Sequence, residues 1–101
     1  MSYILFVDAG HAWLEVPVQE LKELRIDKKI SGYSYEKSGN VYLEEDCDLA
    51  IFVEAKVEAV LRPAAASILI NHESWFKENV FAKWEGDNSR IRNYKHYKGE
   101  M

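Results

Sequence analysis

The chain has 101 residues, 48% of them hydrophobic and 30% charged, enough apolar material to order one core and too little length for two. Thirteen Lys and Arg against seventeen Asp and Glu leave a formal charge of −4, which argues against a general nucleic-acid binder because neutralising phosphates needs a basic surface. A single cysteine, Cys47, excludes an intrachain disulfide and a multi-cysteine metal site, and it points to a reducing compartment, the cytoplasm.

Tyr3 to Val7 is continuously apolar and rich in strand formers, which predicts a central strand covered on both faces. The run is too short for a signal peptide or a membrane span, so neither export nor embedding is expected. Asp8-Ala9-Gly10-His11 supplies turn chemistry, and Ala12 to Val16 then alternates, with Ala12, Leu14 and Val16 on one face and Trp13 and Glu15 on the other. A hairpin is predicted.

Pro17 suits the first turn of a helix, and Val18, Leu21 and Leu24 recur at helical spacing, which predicts a short helix from about Pro17 to Arg25. Beyond Asp27-Lys28-Lys29, Tyr33-Ser34-Tyr35 and Val41-Tyr42-Leu43 flank Lys37-Ser38-Gly39-Asn40, a second hairpin. Asp46 then stands where an N-cap belongs and Asp48 in the first turn, ahead of an apolar stripe of Leu49, Phe52, Val53, Val57 and Val60. Pro63 ends that helix, and Ser67 to Ile70 reads as a short strand. From Asn71 to Trp84 a further helix is predicted with Phe76, Val80 and Trp84 on one face while Trp75 and Phe81 point elsewhere; Gly86 to Ser89 is a loop, and Ile91 to Tyr97 a last strand. The order strand, strand, helix, strand, strand, helix, then a mixed C-terminal part, predicts one α+β domain over residues 1–101. Its antiparallel sheet would have four to five strands and two to three helices packed mainly on one face.

No catalytic, cofactor or metal-binding motif appears: HxH, HExxH, CxxC, GxSxG, P-loop and dinucleotide-binding patterns are all absent. Glu44-Glu45-Asp46-Cys47-Asp48 is dense enough in carboxylates for a hard cation, but it lacks the glycine turn of an EF-hand loop and is explained by a strand running into a helix cap. Asp8 and His11 share a turn and could act as acid and base, or hold a metal, only with partners brought from elsewhere. Cys47 has acidic neighbours that disfavour a thiolate, so a partly buried structural cysteine is expected rather than a nucleophile.

Two segments have capacity for recognition. Trp75, Phe76, Phe81 and Trp84 exceed what one helical face can bury, and surplus aromatics are enriched at protein interfaces; Glu44, Glu45 and Asp48 would then be a charged rim that steers a basic partner. Arg90, Arg92, Tyr94, Lys95 and Tyr97 interleave cations with aromatics, the combination that grips single-stranded nucleic acid, although the same alternation describes an ordinary strand.

Gly10-His11-Ala12-Trp13-Leu14-Glu15-Val16, Lys29 to Tyr35 (KISGYSY), Val41 to Asp48 (VYLEEDCD) and Ser89 to Tyr94 (SRIRNY) together resemble a family of small uncharacterised proteins of bacterial genomes, plasmids and phages. The resemblance covers most of the chain outside Lys56 to Trp84 and implies no catalytic residues. It implies a setting in mobile DNA, where small acidic proteins bind and inhibit a host or rival protein. The expectation is a non-enzymatic protein-binding module, an accessory or counter-defence factor with no cofactor and with homo-oligomerisation possible. A small single-strand-binding domain is the alternative, and a hydrolase around Asp8, His11 and the acidic cluster a third.

Overall fold

A computed structural model describes residues 2–61, 72–86 and 89–99. It contains β1 (Tyr3–Val7), β2 (Ala12–Pro17), α1 (Val18–Glu23), β3 (Tyr35–Lys37), β4 (Asn40–Glu44), α2 (Leu49–Leu61), α3 (His72–Asn79), β5 (Val80–Trp84), a 3-10 turn (Arg90–Asn93) and β6 (Lys95–His96). The strands form one sheet in the order β5-β1-β2-β4-β3-β6. All pairings are antiparallel except β1 with β5, so the fold is α+β with a mixed sheet. Among the described residues, no helix is long and apolar enough to cross a membrane.

The period of two in β2 sorts the core. Leu14 and Val16 face Leu43 and Val41 across the β2–β4 ladder, and all four are fully buried. They join Leu21 of α1 and Phe52, Val53 and Val57 of α2 in the main core, with Trp75 and Phe76 of α3 packed against it. The odd face carries Phe6, Trp13 and Tyr42, which form a second cluster with Ile91 of the 3-10 turn. Helices therefore cover one face and the C-terminal segment the other, which is why β1 and β2 are apolar on both sides.

Ser38 and Gly39 both have positive φ, 54° and 85°, between the paired residues Lys37 and Asn40, so the second hairpin closes through a two-residue turn of the primed type. Its strand begins at Tyr35 rather than Tyr33, because the Ser34 N–H donates to the Ser31 carbonyl in a turn, while its hydroxyl bonds Asp48 and Glu44. Pro17 ends β2 instead of opening α1, pairing with Asn40.

The sheet has six strands and is mixed, not an antiparallel one of four to five, and three further expectations are corrected. The helix from Asn71 to Trp84 stops at Asn79, and Val80 to Trp84 is an edge strand parallel to β1, so Phe76, Val80 and Trp84 do not share a helical face. The last strand is a 3-10 turn followed by two residues of β6, since the Ser89 hydroxyl accepts the Ile91 N–H and caps the turn. Asp48, not Asp46, directly precedes α2, and its carboxylate is turned away from the helix. The strand predicted at Ser67 to Ile70 lies outside the described residues.

Candidate functional site

Two surfaces gather the side chains that the sequence singles out. The first is the β5 edge. Register with β1 places Val80, Ala82 and Trp84 on the helix-covered face, opposite Tyr3, Leu5 and Val7, while Phe81 and Lys83 lie on the other face, beside Ile4 and Phe6. Val80 is buried and anchors the strand, but Phe81 is 57% and Trp84 60% exposed, and Ile4 next to Phe81 is also exposed. Among the described residues, no strand pairs with the outer side of β5. An edge strand with large aromatics on both faces is uncommon protection for a free row of backbone groups. Trp75 and Phe76 behave differently. Trp75 packs its ring against Tyr3 and Phe52, and Phe76, half-buried, lines a groove of about 410 Å³ with Leu49 and Val53. The aromatics assigned to one surface are thus split between core and edge.

The second surface forms where the β1–β2 turn meets the end of β4. Trp13 pairs with Glu44, and the ladder is extended by the Glu45 N–H donating to the Ala12 carbonyl, which carries His11 up against Glu44 to Asp46. His11 Nδ1 lies 3.3 Å from Glu44 Oε1. The other oxygen of Glu44 accepts the Asp46 N–H at 2.8 Å, and the Glu44 carbonyl accepts the N–H groups of Cys47 and Asp48, folding the acidic segment into a tight turn. Beside it is a recess of about 260 Å³ walled by Trp13, Tyr33, Tyr35 and Cys47.

Of the acidic rim, only Glu45 and Asp46 are exposed with Cys47. Glu44 and Asp48 are buried, which removes them as steering charges. Asp48 instead accepts the Ser31 N–H at 3.0 Å, the Ser31 hydroxyl at 2.7 Å and the Ser34 hydroxyl at 2.5 Å, tying the loop before β3 to the start of α2. Buried carboxylates persist where several donors replace water, so its role is architectural. Cys47 is exposed rather than partly buried, at the outer corner of the turn. Its thiol pKa is raised by desolvation, by its hydrogen bond to Glu44 and by the charges of Glu44, Asp48 and Asp46, which makes it a poor nucleophile.

Asp8 does not join His11 as an acid–base pair. Its carboxylate accepts the Gly10 and His11 N–H groups and forms a two-pronged bond with Arg92 at 2.8 and 3.1 Å. The basic–aromatic tail is similarly committed. Arg90 pairs with Glu85 and stacks on Phe6, Arg92 also lies over Trp13, Lys37 caps the Tyr94 ring, and Lys95 is 3.8 Å from Glu36. Tyr97 is buried, its hydroxyl donating to the Asp27 carbonyl. Arg90, Arg92 and Lys37 thus roof the second hydrophobic cluster instead of forming an open phosphate track.

Comparison with protein-family models, with curated proteins and with solved structures gave no match. Nothing in it bears on the resemblance to small phage and plasmid proteins, so function is argued from the two surfaces. Sequence reasoning missed the exposure of Ile4, which lies beside exposed Phe81 of β5, and the meeting of His11 with Glu44, which depends on β2 pairing with β4. The sequence carries no signal for Ile4, because Tyr3 to Val7 is apolar throughout.

Proposed function

We propose that the protein is a non-enzymatic binding module of the cytoplasm that takes an extended segment of a partner protein onto β5. It would act as an accessory or counter-defence inhibitor of the kind the resemblance to phage and plasmid proteins implies. The observation that carries this reading is the exposure of Phe81 and Trp84 on opposite faces of β5, a strand with none on its outer side among the described residues. A segment added there gains main-chain hydrogen bonds from the edge and side-chain contacts above and below it, Phe81 with Ile4 on one face and Trp84 on the other. Glu45 and Asp46, exposed at the far end of β4, are the acidic groups left to favour a basic partner.

Pull-down with the full chain from its native host is expected to recover a stoichiometric protein that is lost with Phe81→Ala/Trp84→Ala, while the far-ultraviolet spectrum of the double variant is unchanged. Retention of the partner by that variant, or repeated failure to recover one, would count against the reading. A single-stranded nucleic-acid role through Arg90, Arg92, Tyr94, Lys95 and Tyr97 has little supporting geometry, because those side chains are paired, stacked or buried.

A further inference from the structure

Among the described residues, one group of three or more potential metal ligands converges: His11, Glu44, Glu45 and Asp46, each with a ligand atom within 4.8 Å of the others. Exposed acidic groups often cluster with no ligand, and Glu45 and Asp46 by themselves carry nothing. The deciding feature is Glu44. Its side chain is only 10% exposed, yet its Oε1 has no hydrogen-bond partner, and neither does the buried Nδ1 of His11 that faces it at 3.3 Å. The separation is that of an ion pair, but the approach lacks hydrogen-bond geometry, so both atoms face the same space with no hydrogen bond between them. A buried carboxylate oxygen short of donors is costly, and a cation placed between Glu44 and His11 would relieve it.

We propose that His11, Glu44 and Asp46, with Glu45 at the rim, bind a divalent transition-metal cation of the zinc class. Two donors held on one tetrahedral ion at bonds of roughly 2.1 Å stand about 3.4 Å apart, close to the separation of His11 Nδ1 and Glu44 Oε1. Glu45 and Asp46 are exposed and free to rotate inward, and the adjoining recess of about 260 Å³ leaves room for water to complete the shell. One imidazole with carboxylates selects zinc, cobalt or manganese over magnesium and calcium, which favour oxygen alone, and over copper(I), which favours sulfur. The backbone that carries the ligands is fixed: Glu44 Oε2 accepts the Asp46 N–H, and the backbone N–H of His11 donates to Asp8. The ligands come from two segments joined only by the β2–β4 pairing, so the ion would clamp the β1–β2 turn to the β4–α2 turn.

The test uses the full chain with Zn²⁺ and Co²⁺ alone. Calorimetry is expected to show one saturable Zn²⁺ site, Co²⁺ to give visible ligand-field bands, and Zn²⁺ to raise the melting temperature. His11→Ala, at a half-exposed position, is expected to lower the affinity at least tenfold with an unchanged far-ultraviolet spectrum, and Asp46→Asn to lower it several-fold. His72→Ala and His96→Ala are expected to leave it unchanged. No saturable binding below millimolar Zn²⁺, or binding that survives His11→Ala, overturns the proposal; His11 is then simply a charge partner of Glu44.

Discussion

Asp8 illustrates how one residue can have a chemical appearance and a structural role. It sits in the first turn beside His11, but its carboxylate is buried and saturated by Arg92 and by the Gly10 and His11 N–H groups. The Arg92 hydrogen bond is the main cause that lowers its pKa to about 2, against the desolvation that would raise it. A carboxylate whose folded pKa is depressed stabilises the fold above its unfolded value of about 3.9, and that contribution is lost as pH falls toward 2. Asp8→Asn is therefore expected to be less stable than the parent at pH 7, with the difference shrinking between about pH 4 and pH 2 in chemical denaturation. A difference independent of pH over that window would contradict the assignment. At this scale the sequence was legible only in part: the turn was readable from Asp8-Ala9-Gly10, whereas its Arg92 partner, far along the chain, was not.

Elements were legible where local chemistry and tertiary need agree. The β3–β4 turn is the clearest case, since Ser38-Gly39 between alternating strands predicts the hairpin and the structure places both residues at positive φ. A Cβ at position 39 would meet nothing within 4 Å, so the effect of Gly39→Ala isolates backbone strain. A loss of about 1 kcal/mol is expected in urea denaturation, and an unchanged midpoint would mean that the turn relaxes to another type. The α3–β5 segment is the opposite case. Phe76, Val80 and Trp84 have helical spacing, but the Asn79 side-chain amide donates to the Trp75 carbonyl and closes the helix, after which Val80 enters the sheet. The spacing was compatible with both structures, and the exposed edge of β1 chose the strand.

For the whole molecule, the sheet order ranks the strands by how much covers them. β2 and β4 pair over five residues, each has another strand on its far side, and Leu14, Val16, Val41 and Leu43 are fully buried. Among the described residues β5 and β6 are the edges, and β6 has only two residues. Amide hydrogen exchange is expected to be slowest in β2 and β4, near the rate set by global unfolding, and faster by orders of magnitude in β6. Equal protection at β6 would indicate a covered edge, for instance by self-association.

The sequence by itself determined the α+β class, the two hairpins, β1 as a strand paired on both sides, Phe52, Val53 and Val57 of α2 as core, and the lack of any contiguous catalytic motif. These follow from periodicities of 2 and 3.6 and from turn residues, which act within a few positions of the chain. Only the tertiary structure decided that β5 is a parallel edge strand with Phe81 and Trp84 outward, that Glu44 and Asp48 are buried, and that His11 meets the acidic turn. Each of these depends on strand pairing between segments distant in sequence, where a shift of one residue would reverse the face of every side chain.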